Sequence, residues 1–315
     1  MGYAVVLGEA LIDLLDGECD GEPVYRQAIG GAPLNVAVGV ARLGEQVQFI
    51  GSVGDDVPAR RIRDFLVRVG VGIDGLVGVP APTALAVATF AGAEPDFRFY
   101  GEPPSYGLLD PASVDLALVE DSSVLYCGSI ALLQPAVLAA ARLAWARAGG
   151  SRVFDPNVRP RLLHDDRARE QYRDVVAEFA ASAHLVKLSS ADAEVLFPGA
   201  TVEEAAGRLR SLGAAAVIVT CGARGAVVAA GEPPVRVPAP QVDAVDATGA
   251  GDSVMAALIA DLLVEGEPVG AAGWVQRVAF ALQVAGLVCE SAGGAVAMPT
   301  RAAVTARFVG PVPGE

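Results

Sequence analysis

Short runs of β-branched and apolar residues alternate with helical patterns along most of this 315-residue chain. The run YAVVLG precedes PLNVAVGVARLG, VQFIGSVG precedes PARRIRDFLVRVG, and SVLYCGSIA precedes PAVLAAARLAWARAG. Strands and helices that alternate in this way form βαβ units, in which helices cover both faces of a parallel sheet. Because no linker interrupts the alternation, the sequence predicts one α/β domain over residues 1–310 and a frayed tail at 311–315.

Two segments depart from this alternation because neither contains a helical pattern. ALIDLLDG with PVYRQAIGG, and ALAVATFAG with DFRFYG, are typical of antiparallel strand pairs in which apolar and polar residues alternate. They occupy roughly residues 12–29 and 84–101. The sequence therefore predicts a doubly wound, mostly parallel sheet with a small β lid that could cover a cleft or pair with a second subunit.

Composition excludes several classes of function. A net charge of −14 opposes binding to nucleic acid, because such binding requires lysine and arginine to neutralise phosphates. Lys187 is the only lysine, so a P-loop with the pattern GxxxxGK[ST] is impossible. The turn Gly8–Asp13 after the first strand lacks the GxGxxG glycines of a dinucleotide site, and no GxSxG indicates a hydrolase nucleophile.

The apolar segments also bear on cellular location. They are interrupted by Gly, Pro and charged residues after about five to eight positions, whereas a membrane span needs about 20, so we expect no membrane association. An apolar strand begins at once with no basic segment before it, which argues against a signal peptide. The four cysteines are far apart in sequence, as expected of reduced thiols in a cytoplasmic protein.

The segment DATGAGDS, residues 246–253, precedes the apolar helical pattern VMAALIADLLVEG. Glycines at a helix entrance let backbone amides converge, and the positive end of the helix dipole adds to them, so an anion can be held without lysine. Asp252, beside these amides, could accept the proton of a substrate hydroxyl while the amides stabilise a transferred phosphoryl group. Alternatively, Asp252 caps the helix and the glycines form a tight turn.

A second glycine motif, Gly30-Gly31-Ala-Pro-Leu-Asn35, leads into another predicted helix. Paired glycines let the backbone approach a ligand closely, and Asn35 offers a sugar hydroxyl both a donor and an acceptor. A simple junction between a loop and a helix is the alternative. Asp13, in the alternating run LIDLL, could accept hydrogen bonds from two adjacent hydroxyls or be a solvated strand residue.

These two motifs, in this order, resemble the signatures of the PfkB (ribokinase-like) carbohydrate kinases, GG-x-x-x-N…G…G-D and D-T-x-G-A-G-D. Here they are GGAPLNVAVGVARLGEQVQFIGSVGDD and DATGAGDS, while GEALIDLL, VLYCGSIAL and FDPNVRP are most similar to the bacterial fructokinase branch. The resemblance covers almost the whole chain. It implies a ribokinase-like fold with a β lid, ATP with Mg²⁺ as the phosphoryl donor, and a homodimer formed through the lid.

The resemblance also implies roles for individual residues. Asp252 matches the family's catalytic base, and Gly249, Ala250 and Gly251 match its backbone anion hole. Positions that contact the sugar match Asp13, Gly30, Gly31, Asn35 and Arg159. Positions that line the nucleotide site match Lys187, Thr220, Gly222 and Gly225. The alternatives are a surface salt bridge for Arg159, a solvent-exposed Lys187 and a hairpin turn at Gly225.

The candidate metal sites include one departure from the family pattern. The family often carries N-x-x-E to organise Mg²⁺ through water, whereas this chain has Ser189-Ser-Ala-Asp192, which leaves Asp192 or Glu194 as the candidate. Asp246 and Thr248 correspond to a loop that binds a monovalent cation such as K⁺ in part of the family. A structural role for this loop at the helix entrance is equally compatible with the sequence.

The sequence therefore predicts transfer of the γ-phosphoryl group of ATP to a hydroxyl of a small carbohydrate. Fructose is the first choice of acceptor, followed by 2-keto-3-deoxygluconate or another ketose or polyol, and a nucleoside is less favoured. A non-catalytic sugar or nucleotide sensor is the alternative from a different class, because a fold does not determine a function.

Overall fold

The computed structural model describes residues 2–90, 95–291 and 293–308, and the predicted tail at 311–315 lies outside these ranges. The large sheet contains β1 (Ala4–Leu7), β4 (Val47–Val53), β5 (Leu76–Gly78), β8 (Val124–Gly128), β9 (Ser151–Asp155), β10 (Leu185–Ser189), β11 (Ala216–Thr220), β12 (Ala226–Ala229) and β13 (Val235–Val237). The small sheet contains β2 (Leu11–Cys19), β3 (Glu22–Gly30), β6 (Leu85–Phe90) and β7 (Pro95–Tyr100).

The large sheet has the strand order β13-β12-β11-β10-β9-β8-β1-β4-β5. Pairing is parallel from β5 to β11, and β11, β12 and β13 pair antiparallel. Along β1, Ala4 and Val6 face one core cluster, whereas Val5 and Leu7 face the other. This alternation is what a strand covered by helices on both faces requires. The predicted doubly wound, mostly parallel sheet is confirmed.

Helices cover both faces of the large sheet, and proline fixes the first turn of several of them. Pro33, Pro58 and Pro135 occupy the first two positions of α1, α2 and α4, where a missing amide hydrogen costs little. The helices are α1 (Ala32–Arg42), α2 (Val57–Arg68), α3 (Leu116–Glu120), α4 (Pro135–Arg147), α5 (Asp166–Ala180), α6 (Ser190–Leu196), α7 (Val202–Leu212), α8 (Ala250–Glu265), α9 (Gly270–Cys289) and α10 (Arg301–Phe308).

The small sheet forms the lid and has the strand order β3-β2-β6-β7. Each predicted strand pair is an antiparallel hairpin, β2 with β3 and β6 with β7. The two hairpins join through a parallel pairing of β2 with β6, in which Asp13 lies opposite Ala86. Sequence alternation could identify each hairpin but not this pairing between segments distant in the chain.

Helix α9 is the longest of the helices given above and is strongly apolar. Its 20 residues, with a window of mean hydropathy 1.3, meet the length and composition criteria for crossing a membrane. In the fold, 39% of that window is buried, and Trp274, Val278 and Ala281 pack into the core. Core helices meet the same criteria, so this helix alone is weak evidence for a membrane span.

Candidate active site

A cavity of about 430 Å³ lies at the carboxyl ends of β1, β9 and β10, between the entrances of α1 and α8 and beneath the lid. Ligands of doubly wound sheets bind at this edge, where the strand order reverses. A larger depression of about 690 Å³ lies at the opposite edge, beside Arg152 and His184, and none of the predicted site residues lines it. The cavity is lined by these predicted residues: Asp13, Gly31, Asn35, Arg159, Lys187, Asp192, Asp246, Thr248, Gly249, Gly251 and Asp252.

The entrance of α8 places Asp252 in this cavity. Gly249 precedes the helix with φ 79°, a left-handed conformation that favours glycine, and a Cβ there would lie 3.0 Å from Cα of Gly294. Because Gly249 is the N-cap residue, Asp252 is the third helical residue, and the alternative that Asp252 caps α8 is wrong. Asp252 is 8% exposed, and its Oδ2 accepts a hydrogen bond from Nδ2 of Asn35 at 2.7 Å. The two glycine motifs therefore meet through their polar residues.

The protonation of Asp252 depends on opposing influences. Burial raises the pKa of this carboxyl group above its ordinary value. The ammonium of Lys187, the hydrogen bond from Asn35 and the guanidinium of Arg159 oppose this rise by stabilising the carboxylate. A buried carboxyl group with raised basicity accepts a proton from a hydroxyl more readily than an exposed one does.

Asp13 lies on β2 at the lid side of the cavity. A Cβ at Gly30 would lie 1.9 Å from Oδ2 of Asp13, so glycine there leaves room for the carboxylate. Burial raises the pKa of Asp13 to about 7, while Arg159 opposes the rise and Asp252 adds to it. Asp13 is therefore a half-buried group facing a cavity, and the alternative of a freely solvated strand residue is wrong.

Arg159 follows β9 and points its guanidinium toward polar groups of its own loop. Its Nη1 donates a hydrogen bond to Oδ1 of Asn157 at 2.6 Å and lies 3.3 Å from the carbonyl oxygen of Val158. The side chain lines the cavity and opposes the rise in the pKa values of Asp13 and Asp252. Arg159 thus supplies positive charge near both carboxyl groups.

Lys187 forms a buried ion pair instead of extending into solvent. Its Nζ lies 2.8 Å from Oδ2 of Asp155, with side chains 4% and 0% exposed, so the solvent-exposed alternative is wrong. Burial lowers the pKa of Lys187, but Asp155 and Asp252 more than compensate, and the pKa stays above its ordinary value. Burial raises the pKa of Asp155 to about 6 against the opposing effect of Lys187.

The remaining predicted nucleotide residues lie beside the cavity and do not line it. Thr220 ends β11 opposite Ser189 of β10, and Ser189 does line the cavity. Gly222 and Gly225 form the turn from β11 to its antiparallel partner β12, which agrees with the hairpin alternative for Gly225. Their nucleotide-binding role stays a prediction. Ala250, the first residue of α8, and Gly30 also lie outside the cavity lining.

The candidate metal-binding residues Asp192 and Asp246 accept hydrogen bonds from backbone amides. Oδ1 of Asp192 accepts a hydrogen bond from the amide of Val158, and Oδ2 accepts two from Ser189 in a capping box that begins α6. Asp246 accepts hydrogen bonds from the amides of Thr248 and Gly293. Although burial raises the pKa of Asp246, these hydrogen bonds lower it below its ordinary value. The expected roles in binding Mg²⁺ and K⁺ stay predictions.

Asp192 is suited to a Mg²⁺ ion whose other ligands are water molecules and substrate phosphates. Within the described ranges, no three His, Cys, Asp or Glu side chains are grouped to hold a metal ion. Mg²⁺ usually keeps several waters and binds one or two carboxylates together with substrate phosphates. The arrangement around Asp192 is compatible with that mode of binding.

Glu9 is a cavity residue that no sequence motif indicated. It lies two residues after the end of β1, is 2% exposed, and accepts a hydrogen bond from the amide of Ala131 at 3.2 Å. Burial raises its pKa to about 7, with Ser129 opposing the rise. A carboxylate just beyond the end of the first parallel strand was the available signal, because the strand order reverses between β1 and β8.

A helix entrance that can hold an anion, with a buried carboxylate beside it in a cavity, is the arrangement expected of a phosphotransferase that acts on a hydroxyl group. Residues 1–301 match the family described as pfkB family carbohydrate kinase, and the chain belongs to this family. The predicted family, fold class and enzyme class are thereby confirmed.

Proteins named fructokinase are similar to this chain over nearly its whole length. The fructokinase of Klebsiella pneumoniae is 35% identical over 304 residues, which cover 95% of this chain and 96% of the relative. The structure of fructokinase with bound ATP from Xylella fastidiosa has a TM-score of 0.85 at 28% identity and covers 96% of this chain and 97% of that one. Fructokinase from Vibrio cholerae O395, with fructose, ADP and calcium bound, has a TM-score of 0.86 at 28% identity, covering 97% and 98%.

Proposed function

We propose that this carbohydrate kinase transfers the γ-phosphoryl group of ATP to a hydroxyl group of fructose. The observation that carries the proposal is the buried Asp252, held by Asn35 at the glycine-lined entrance of α8 and facing a cavity. Relatives named fructokinase from both a bacterium and plants support the choice of acceptor. The fructose and ADP in the structure from Vibrio cholerae support it further.

The reaction is an in-line displacement in which Asp252 acts as the base. Its carboxylate accepts the proton as the acceptor oxygen attacks the γ-phosphorus, and the bond from phosphorus to the ADP oxygen breaks. The amides at Gly249, Ala250 and Gly251 stabilise the charge that develops on the phosphoryl oxygens. Mg²⁺ bound with ATP neutralises charge on the phosphates. Asp192 would hold Mg²⁺ through its water shell, and Asp246 with Thr248 would hold a monovalent cation.

The acceptor binds under the lid between Asp13, Asn35 and Arg159, with Gly30 and Gly31 allowing close approach of the backbone. Carboxylate oxygens of Asp13 accept hydrogen bonds from two adjacent hydroxyls. Closure of the lid excludes water, which would otherwise compete for the phosphoryl group. Above their pKa values of about 7, Glu9 and Asp13 add negative charge that disfavours an anionic acceptor such as 2-keto-3-deoxygluconate, although Arg159 opposes this effect.

The nucleotide lies on the side of the cavity toward β11. Thr220, Gly222 and Gly225, which lie beside the cavity, contact the nucleotide, and Lys187 lies where the phosphates approach α8. The chain acts as a single kinase domain in the cytoplasm and forms a homodimer through the lid. Half-exposed aromatic rings of the lid, Tyr25 at 56% and Tyr100 at 53%, support that interface because such rings are enriched at protein contacts.

A coupled assay for ADP release tests the proposal. The acceptors are fructose, ribose, 2-keto-3-deoxygluconate and adenosine, each measured with and without K⁺. We expect the highest kcat/KM with fructose and a rate that depends on Mg²⁺. A higher kcat/KM with another acceptor would identify a different sugar kinase of this family.

The variant Asp252→Asn tests the role of the base. Loss of general base catalysis lowers kcat by about 10²- to 10⁴-fold, while the fold and ATP binding are retained. The matched control is Asp261→Asn, on the same helix but paired with Arg301 and outside the cavity lining, which keeps its activity. Near wild-type turnover of Asp252→Asn would refute the assignment.

A further inference from the structure

The ion pair of Lys187 with Asp155 has an unusual position for charged groups. Both side chains are buried, Asp155 at the end of β9 and Lys187 at the centre of the neighbouring β10, although removing charges from water is unfavourable. Lys187 is also the only lysine among 23 basic residues. At this one place the chain uses a compact ammonium group instead of the larger, planar guanidinium of arginine.

The ammonium lies against the entrance of α8. A Cβ built on Gly251 would be 3.1 Å from Nζ of Lys187, and Gly251 directly precedes Asp252. The two charges act on each other, because Lys187 lowers the pKa of Asp252 and Asp252 raises that of Lys187. Arg159 also stabilises the Asp252 carboxylate, while Asp192 destabilises it. The other groups coupled to Asp252 are Asp13, Asp155 and Tyr126.

We propose that Asp155 fixes the ammonium of Lys187 at the entrance of α8, where its charge keeps Asp252 in the form that accepts a proton. This inference rests on the proposed function, in which Asp252 is the base. Lys187 and Asp155 are then positioning residues for proton transfer, a role beyond contact with the nucleotide. Asp155 is fully buried and does not line the cavity, so it acts through Lys187.

The single lysine allows a test that does not depend on activity. Protein grown with lysine labelled with ¹³C at Cε gives one lysine signal by NMR, from Lys187. We expect Asp252→Asn to move this signal at pH 7 and to lower the pH at which it titrates, because a neighbouring negative charge is removed. The control Asp261→Asn leaves the signal in place. A signal that Asp252→Asn leaves unchanged would overturn the inference.

The pH dependence of kcat, measured with saturating ATP and acceptor, tests the catalytic consequence. The double variant Lys187→Met with Asp155→Asn removes both charges and leaves no unpaired buried charge. We expect the acid limb of its profile to move up by about one to two pH units, the effect of losing an opposite charge near a carboxylate. At about pH 6 the double variant therefore keeps a smaller fraction of its own maximal kcat than the wild type does. Lys187→Arg, which keeps the charge, moves the limb less.

A uniform loss of activity at all pH values, with the acid limb in place, would contradict the inference and indicate a merely structural pair. The outcome is separable from failure of the proposed function. Full activity of Asp252→Asn would refute the base itself. If Asp252→Asn is inactive and the acid limb of the kcat profile of the double variant does not move, the proposed role of Lys187 and Asp155 is refuted while Asp252 remains the base. If the double variant does not fold, the effect of Asp252→Asn on the NMR signal of Lys187 tests the inference instead.

Discussion

Asp13 and Asp246 are both aspartates at the same cavity, yet their surroundings move their pKa values in opposite directions. Asp246 accepts hydrogen bonds from two backbone amides, which stabilise its charge. Asp13 is half-buried, and its partial removal from water and the nearby charge of Asp252 raise its pKa to about 7. Asp246 is therefore ionised throughout the neutral range, whereas Asp13 changes its charge within it.

This difference predicts how acceptor affinity responds to pH. If ionised Asp13 accepts two hydroxyl hydrogen bonds, KM for fructose falls as the pH rises from about 6 to about 8, because deprotonation follows its pKa near 7. Asp13→Asn raises KM by about 10- to 100-fold, the value of hydrogen bonds to a charged group, and removes that pH dependence. Steady-state kinetics with fructose varied at each pH check this. An unchanged KM in the variant would place the acceptor elsewhere.

Among the individual residues, the sequence indicated Asp252, Asn35 and Asp13, because each lies in a motif whose residue types suggest a chemical role. It could not show that the polar ends of Asn35 and Asp252 meet, since 217 residues separate them. Glu9 was missed because a single carboxylate after a strand has no distinguishing pattern. Its burial, which gives it a raised pKa, exists only in the folded chain.

At the scale of elements, the functional residues of α8 all lie in its first turn. Most of the helix is buried core, and an amphipathic pattern is unnecessary because residues from Val254 to Ala260 are all buried. The functional part is the entrance, where glycines keep side chains away from the amides and from Lys187. The sequence predicted this entrance well because glycines directly before an apolar helix are typical of a helix that begins at a bound anion.

Gly251→Ala separates helix stability from function at this entrance. Alanine favours a helix by about 1 kcal/mol over glycine, so we expect little loss in Tm. Its Cβ would lie 3.1 Å from Nζ of Lys187, so the ammonium must shift and kcat falls. In the control Gly207→Ala, on α7, the Cβ meets nothing within 4 Å, so Tm rises and kcat is unchanged. Thermal melting and ADP release check both variants, and a Gly251→Ala enzyme with full kcat would contradict this account.

At the scale of the whole molecule, several buried or half-buried carboxyl groups share raised pKa values: Glu9, Asp13, Asp155 and Asp252. Such groups bind protons more tightly in the folded state than in the unfolded chain. The stability that this provides is present at low pH and is lost as the pH rises through the folded-state values. The net charge of −14 acts in the same direction, because self-repulsion grows as carboxyl groups ionise.

We therefore expect the Tm of the free protein to fall as the pH rises from about 5.5 to about 8, with the folded-state pKa of Glu9 near 7. The shift of Glu9 from 4.5 to about 7 corresponds to about 3 kcal/mol over that whole range, of which about 2 kcal/mol is lost above about pH 5.5. Glu9→Gln cannot ionise, so its Tm depends less on pH. The control Glu18→Gln removes the same charge from an exposed position on β2 and keeps the wild-type slope. Calorimetry of the wild type and both variants across this pH range measures these slopes, and a wild-type Tm that rises with pH would contradict the expectation.

The hydrogen bond from Asn35 to Asp252 joins the second tenth of the polypeptide to its final quarter. During synthesis, the ribosome must therefore extrude the acceptor half of the site long before α8 exists. A nascent chain that stops ahead of α8 carries Asp13 and Asn35 without a base. Premature termination should then yield inert fragments that cannot hydrolyse cellular ATP, because the phosphoryl-transfer step waits for the last quarter of the chain.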